Sequence, residues 1–328
     1  MCNTRCRYCS SSKVKCNGKT GRGIQRKLCL NCHKTWSVSR RNSYKKYNPD
    51  KMFLSWLKGD SIARVAAESG LSRTHTYRIL LNKLSEPVSY NKQALEQCQY
   101  ASFDGKFLFG RDWSALVLFD ATKKLPIAVK LARNENKTTV TSFMAELKQL
   151  GFNPIAITID GRSGTPAAIK KVFPNTIIQR CLFHIKLQIW AWVRIPPRRP
   201  LGWALKHLAD QIERASTVDD VSMAAKAYQK LKLDYATEIT ELICKVNTKA
   251  YNRPDYDLLK CFSLLDNAWP NLFHYIANPN IAKTSSPLEG FNKQITRITG
   301  FDHCGLTKNH LEQFLKHYVN YTISSNTK

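Results

Sequence analysis

Acidic residues are scarce in this sequence, and the first 49 residues contain none. The 328 residues include 24 Asp and Glu against 51 Lys and Arg, which leaves a formal net charge of +27 at pH 7. This imbalance is unusual for an enzyme of small metabolites, and it favours a polyanionic partner such as nucleic acid. Thirteen of the Lys and Arg residues lie in the acid-free front end.

Long apolar runs are also missing. No stretch approaches the ~18 apolar residues that span a bilayer, and the first residues lack the apolar core of a secretory signal. We therefore expect the eleven cysteines in a reducing compartment, where metal binding explains them better than disulfides do. With 43% hydrophobic residues the chain can fold, and its length predicts two or three domains.

Four cysteines in the basic front end have the spacing of a metal site. They form two Cys-x-x-Cys pairs separated by a polar loop that contains glycine: Cys6, Cys9, Cys29 and Cys32. Four thiolates at this spacing bind one tetrahedral Zn²⁺, and such a closed site is structural because it leaves no position for water. We predict a zinc ribbon with one structural Zn²⁺ over residues 1–47, supporting a surface that contacts DNA.

Residues 48–86 have a helical period and predict three short helices. Gly70-Leu71-Ser72 separates the second from the third, with glycine as the C-terminal stop and serine as the next N-cap. This pattern is typical of a helix-turn-helix, whose third helix enters the major groove of DNA. The residues predicted to contact DNA begin that helix: Arg73, Thr74, His75 and Arg78. The alternative is an ordinary three-helix bundle with a basic, solvated face.

Residues 87–97 break the helical pattern and predict a linker. Three apolar runs follow from residue 98, separated by turn-forming residues, and then a helix, a buried strand ending at Asp160, another helix and a short strand. This order predicts an α/β RNase H-like fold over residues 98–194. Asp104 in the first strand and Asp160 after the fourth would lie side by side, because neighbouring strands are ~4.8 Å apart.

Two neighbouring carboxylates repel each other unless a cation bridges them, and their oxygens suit Mg²⁺ or Mn²⁺. Two such ions can activate a water or a 3′-hydroxyl and stabilise a leaving oxygen, so the pair favours phosphoryl transfer. A third carboxylate should complete the site. From the residues alone, Asp120 competes with Asp104 for this role, and an Asp at a strand end is often only a turn residue.

Three blocks of the sequence resemble a known family. Residues 160–184 run from Asp-Gly-Arg through an alanine-containing helix and Phe-Pro to Cys181-Leu-Phe-His184. This segment resembles the signature of the mutator-type superfamily of DDE transposases, which includes MULE elements and prokaryotic insertion-sequence transposases. Phe103-Asp104-Gly105 resembles the first catalytic block of that family, and Glu289-Gly-Phe-Asn resembles the last.

The resemblance covers about residues 98–320 and implies a DDE transposase whose catalytic triad, Asp104, Asp160 and Glu289, binds Mg²⁺ or Mn²⁺. It places His184 near the active site, where the imidazole could contact the scissile phosphate. Half of a metal site and simple packing remain alternatives for Cys181 and His184, with a structural role favoured for the cysteine.

The partners implied by the resemblance are double-stranded DNA, as terminal inverted repeats and target, and further copies of the chain in a synaptic homodimer or higher oligomer. A prokaryotic element also implies a cytoplasmic, nucleoid-associated protein.

The residues around Glu289 support a helix independently of the resemblance. An apolar stripe at helical spacing predicts the face that packs on the core: Leu288, Phe291, Ile295 and Ile298. The adjacent face is polar and would point towards metal and phosphate: Glu289, Asn292, Lys293 and Thr296.

The segment between Asp160 and Glu289 is much longer than a connection from a sheet to a helix requires. Residues 195–280 have Leu, Ile and Ala at helical spacing and predict an all-α insertion, after which residues 281–328 return to the core with C-terminal helices. The predicted fold class is therefore multidomain: a four-cysteine zinc ribbon, an all-α helix-turn-helix and an α/β RNase H-like core with an all-α insertion.

Three functions agree with these patterns. The first is an active transposase that binds element ends, then cuts and joins DNA. The second is a non-catalytic regulator, domesticated or decayed, that keeps only sequence-specific DNA binding. The third is an RNase H-like nuclease without strand transfer. The intact set of three carboxylates favours an active enzyme.

Overall fold

A computed structural model describes residues 4–21, 23–37, 47–108, 113–162, 164–302 and 305–326. The turn predicted at residues 110–112 lies outside these ranges. Within them, no helix combines the length and the apolar character needed to cross a membrane.

The front end is a three-stranded antiparallel sheet in the order β1–β2–β3. Its strands are β1 (Val14–Lys19), β2 (Gln25–Cys29) and β3 (Thr35–Ser37). Among the described residues of this unit, Cys6, Cys29 and Trp36 form the buried core, with Val14 and Cys32 packed against them. So few apolar side chains rarely hold a fold without a metal or disulfides.

Three short helices follow, as predicted: α1 (Pro49–Leu57), α2 (Ile62–Ser69) and α3 (Arg73–Leu84). Gly70 ends α2 in the left-handed conformation, at φ 69°. The Ser72 hydroxyl then caps α3 by accepting a hydrogen bond from the His75 N–H at 3.3 Å. Both residues therefore have the roles that the sequence predicts.

The segment predicted to be a linker packs on the core instead. It contains a fourth helix, α4 (Lys92–Gln97), in which Leu95 is fully buried. Just before it, the buried Tyr90 hydroxyl donates a hydrogen bond to the Val129 carbonyl at 2.8 Å. The difference arises because a few apolar side chains in a polar segment are enough to anchor it.

The central unit contains a five-stranded mixed sheet in the order β6–β5–β4–β7–β8. Its strands are β4 (Tyr100–Leu108), β5 (Trp113–Asp120), β6 (Leu125–Ala132), β7 (Ala156–Ile159) and β8 (Ile177–Arg180). The first three form the predicted antiparallel meander, while β7 runs parallel to β4 and β8 parallel to β7. Two helices are interleaved with the strands: α5 (Lys137–Gln149) and α6 (Thr165–Val172).

A second hydrophobic core belongs to the helices that follow β8. They are α7 (Leu182–Val193), α8 (Pro200–Arg214), α9 (Val218–Asp234), α10 (Ala236–Asn247), α11 (Arg253–Ala268) and the single turn α12 (His274–Ala277). Proline begins α8 and lies in the first turn of α11, where its missing N–H costs nothing. The region predicted as an insertion is thus all-α.

The chain then returns to the sheet with two helices, α13 (Ser286–Arg297) and α14 (Lys308–Asn326). Leu288 and Ile295 of α13 and Leu315 of α14 are buried in the core of the five-stranded sheet. Phe314 of α14 instead packs edge-on against Trp56 of α1, with ring centroids 5.1 Å apart. The last helix therefore joins the three-helix unit to the sheet.

Candidate active site

Two parallel strands place Asp104 beside Asp160. Phe103 of β4 pairs with Ile159, the last residue of β7. Asp104 and Asp160 follow these two residues directly and therefore lie side by side. Burial, followed by the charge of Asp160, raises the pKa of Asp104 above its usual value. A cation bound beside both carboxylates would offset this repulsion at Asp104.

Helix α13 adds Glu289 to the same cleft, which has a volume of about 820 Å³. Asn292, one turn further, donates its side-chain N–H to Asp104 Oδ2 at 2.7 Å. Lys293 also lines the cleft. Three of the four residues predicted on the polar face of this helix thus line the cleft with the aspartates. Leu288, Phe291 and Ile295 are buried in the core of the sheet, as predicted. Ile298, just after the helix, is buried instead in the core of the three N-terminal helices.

The donor set fits a hard divalent cation, because it consists of three carboxylates. Glu289 Oε1 is buried and accepts no hydrogen bond from the residues that the structure describes. The three carboxylates lie further apart than the four cysteines do. Across the described ranges, the cysteines are the only group of three or more possible metal ligands whose ligand atoms all lie within 4.8 Å of one another.

His184 lies in the first turn of α7 at the edge of this cleft, with Nε2 3.8 Å from Glu289 Oε1. The sulfur of the buried Cys181 accepts hydrogen bonds from the Ser285 N–H and hydroxyl at 3.3 and 3.4 Å. Hydrogen bonding to Cys181 is the main cause that raises the pKa of His184 to about 9, and the Asp104 and Asp160 charges add to it. These interactions favour the cationic form of His184, whose Nδ1 lies 3.5 Å from the Ser285 hydroxyl.

The cleft continues along α7 beyond His184. Gln188 and Trp192 follow at intervals of four residues and line the same cavity. One face of this helix thus extends the cleft from the carboxylates onto the all-α region.

Asp120, the competing aspartate, has a structural role. Its carboxylate Oδ1 accepts the backbone N–H groups of Thr122 and Lys123 at 2.9 and 2.8 Å, closing the turn between β5 and β6. Asp120 pairs with Ala101, three residues before Asp104, and does not line the cleft.

Sequence patterns missed two charged residues beside the aspartates. Glu135, between β6 and α5, is buried, and its Oε2 accepts a hydrogen bond from Arg162 at 2.9 Å. Arg162 also contacts Asp160, with Nε 3.1 Å from Oδ2. Burial raises the pKa of Glu135 to about 7, although Arg162 opposes this. Glu135 lies in a polar turn without periodicity, whereas Arg162 belongs to the Asp-Gly-Arg block and could have been found there.

Arg180, at the end of β8, was also missed. Its guanidinium donates to the Asp160 carbonyl at 3.3 Å, and burial lowers the pKa of Arg180. Gly161 leaves the space that this side chain fills, because a Cβ there would lie 1.8 Å from Arg180 Cζ.

The four predicted zinc ligands converge in the front end. The Sγ atoms of Cys6 and Cys32 are 3.6 Å apart, as are those of Cys9 and Cys29. A hydrogen bond from the Cys32 N–H is the largest effect that lowers the pKa of Cys29 to about 6, which favours the thiolate. The cluster is compatible with a structural zinc ion.

The residues predicted to contact DNA form one exposed group at the start of α3: Arg73, Thr74, His75 and Arg78. Thr76, Leu80 and Leu84 are buried on the opposite side of this helix.

Comparison with known proteins identifies the family. The model of the Mutator family of transposases matches residues 117–303, more than half of the chain. The chain therefore belongs to this family, as the resemblance in its sequence predicts. The matched range includes Asp160, His184 and Glu289.

Curated relatives are bacterial transposases. The chain is 31% identical over 90 residues to the transposase for insertion sequence element IS1201 of Lactobacillus helveticus, which is 27% of this chain and 24% of the relative. It is 32% identical over 115 residues, 35% and 28% of the two chains, to a probable transposase for insertion sequence element ISRM3-like of Sinorhizobium fredii. These alignments span about a quarter of the length of each relative.

Among solved structures, the chain is similar to a Drosophila P element transposase strand transfer complex. The TM-score is 0.38 at 12% identity, covering 86% of this chain and 94% of that one. A likeness this weak carries no argument about the fold or the function.

Proposed function

We propose that this protein is a DDE transposase, which binds the terminal inverted repeats of a mobile element and catalyses metal-dependent DNA strand cleavage and transfer. The observation that carries the proposal is the convergence of Asp104, Asp160 and Glu289 on one cleft in a chain of the Mutator family. The sheet order and the helices between its strands support an RNase H-like catalytic core.

The three carboxylates would hold Mg²⁺ or Mn²⁺, which when bound polarises a phosphodiester and activates a water or a 3′-hydroxyl. Asn292 orients the Asp104 carboxylate through its hydrogen bond. His184 and Lys293 supply positive charge on the cleft wall, where it attracts the DNA backbone and stabilises charge developing on the scissile phosphate.

DNA recognition falls to the N-terminal units. A zinc ribbon over residues 1–47, held by one Zn²⁺ on four cysteines, and a helix-turn-helix over residues 48–86 would bind the element ends. Their basic composition supplies the phosphate contacts, and Arg73 and Arg78 on the exposed start of α3 can reach base edges. Transposition brings the two ends of the element together, so we expect at least a homodimer on the DNA. The protein would act at the nucleoid of a prokaryotic cell.

Cleavage of a labelled element end in Mg²⁺ tests the role of the triad. We expect Asp104→Asn and Glu289→Gln to reduce the rate by at least on the order of 10²-fold while end binding persists, because these carboxylates act through the metal and not through DNA recognition. Glu146→Gln is the matched control, since this carboxylate pairs with Lys130 away from the cleft. Full cleavage by either triad variant would refute the assignment, and binding without cleavage by the wild type would favour a regulator.

A further inference from the structure

Arg162 lies between two carboxylates of the cleft. Its Nη1 is 2.9 Å from Glu135 Oε2, and its Nε is 3.1 Å from Asp160 Oδ2. The guanidinium also lies over the Phe107 ring, 4.4 Å from the centroid. It is thus held on three sides, while the side chain is 34% exposed and lines the cleft.

The carboxylate of Glu135 has a space built for it. Its side chain is only 1% exposed, and Thr165 Oγ1 donates to Oε1 at 3.3 Å. On β4, a Cβ at Gly105 would lie 2.0 Å from Glu135 Oε2, so this strand carries glycine where the carboxylate approaches. Glycine inside a strand is destabilising, and a close approach of this kind gives it a reason.

The two carboxylates that contact Arg162 differ in whether another cation can neutralise them. Asp160 faces the open cleft with Asp104 and Glu289, where a divalent cation can reach it. Glu135 is enclosed, and a buried carboxylate without a partner is costly. A dication and a guanidinium on the same Asp160 oxygens would repel each other, whereas the ion pair with Glu135 does not compete with the dication.

We propose that Arg162 is an exchangeable counter-cation of Asp160, and that Glu135 is the positioning residue that keeps Arg162 in the cleft when a divalent cation takes Asp160. The inference rests on the proposed function, because it requires a metal at Asp160. Arg162 competes with the metal, and Glu135 weakens that competition by binding the guanidinium.

Mn²⁺ titration of the full-length, zinc-loaded protein without DNA, followed by electron paramagnetic resonance, tests this exchange. Arg162→Gln removes the competitor and should tighten Mn²⁺ binding, whereas Glu135→Gln releases Arg162 onto Asp160 and should weaken it, each by about 3- to 10-fold. Because Glu135 acts through Arg162, the double variant should bind Mn²⁺ as tightly as Arg162→Gln. A return to the wild-type affinity would indicate additive charge effects and would overturn the inference. Arg162→Lys keeps the charge and should remain nearer to the wild type than Arg162→Gln.

Opposite signs distinguish exchange from a structural ion pair, whose loss would weaken Mn²⁺ binding in both variants. Arg199→Gln, which breaks the Arg199–Asp255 pair of the all-α region, should leave the affinity unchanged, and thermal unfolding of each variant establishes that it is folded. Shifts in the same direction, or none, would overturn the inference. If the wild type binds no Mn²⁺, or if Asp160→Asn does not abolish the binding, the proposed function would be overturned instead.

Discussion

Two glycines follow the two aspartates of the cleft, and each leaves room for a charged side chain from elsewhere in the chain. Gly105 makes space for Glu135, and Gly161, at φ +83°, makes space for Arg180. The glycines of the Phe-Asp-Gly and Asp-Gly-Arg blocks thus allow these side chains to lie close to the aspartates, because a methyl group at either glycine would displace Glu135 or Arg180.

We expect Gly105→Ala to destabilise the protein by about 1–3 kcal/mol, since overpacking here forces out the Glu135 carboxylate. Urea unfolding monitored by circular dichroism measures the change. Gly290→Ala is the matched control: it lies in α13 with nothing within 4 Å of its Cβ position, so it should be stabilising by up to about 1 kcal/mol. Equal stability of Gly105→Ala and the wild type would contradict the packing described for Glu135.

Among the residues of the cleft, those that could be predicted from sequence are the ones whose position follows from a regular strand or helix. Parallel strand register places Asp104 beside Asp160, and helical spacing places Glu289 on the cleft face of α13. Glu135 could not be predicted, because its burial depends on a glycine on β4 and an arginine after β7, both distant in sequence.

Among the elements, the three-stranded sheet of the front end would depend most on a metal ion held by the four cysteines. Its core cluster, within the described residues, contains no side chain from outside residues 6–36. Nothing in that core replaces the free energy of metal binding, which is about 10–16 kcal/mol for small structural zinc sites.

Removal of zinc by a strong chelator should therefore unfold residues 4–37 while the five-stranded sheet stays folded. Hydrogen exchange resolved by mass spectrometry checks this, and Cys29→Ser should give the same pattern without chelator. Cys244→Ser is the matched control, because this exposed cysteine lies in α10. Protection of the front end that survives chelation would show that the four cysteines do not hold a metal that the fold requires.

Helix α3 presents its first turns to solvent, and DNA affinity should depend on them. We expect Arg73→Ala and Arg78→Ala each to weaken binding of an element end by about 1–3 kcal/mol, the contribution of a good base contact. Fluorescence anisotropy at fixed salt measures this, with Lys92→Ala as a control for the loss of one exposed positive charge on the neighbouring helix α4. An equal loss in all three variants would indicate that only net charge matters.

The strands and capped helices were predictable because alternation, glycine stops and serine caps are local signals. The meander of β4, β5 and β6 and the Gly70–Ser72 turn agree with those signals. Helix α4 was missed because two buried apolar residues in a polar segment carry no period, and its packing is decided by the sheet beneath it.

For the whole molecule, the last helix connects the units. Phe314 of α14 belongs to the core of the three N-terminal helices, and Leu315 and Val319 belong to the core of the sheet. Tyr318 packs against both cores. The unit that contains α3 is thereby packed, through α14, against the unit that carries the carboxylates. This contact between the N-terminal helices and the last helix could not be predicted from sequence, because the helical spacing of apolar residues in α14 does not indicate which unit each face packs against.

A net charge of +27 makes DNA binding expected of the whole chain, so binding alone does not separate a transposase from a regulator or a nuclease. Those functions differ in whether a 3′-hydroxyl, once freed, attacks a second DNA molecule. The three-carboxylate cleft supports both steps, because the same arrangement can activate a water or a hydroxyl.

The most direct test is cleavage of a labelled element end and its joining to a target plasmid in Mg²⁺, comparing the wild type with Asp160→Asn. Our account predicts joined products with the wild type, a loss of at least on the order of 10²-fold in the variant, and none without divalent metal. Metal-dependent cleavage without joining would indicate a nuclease, and end binding without any product would indicate a regulator; either result would contradict the proposed transposase.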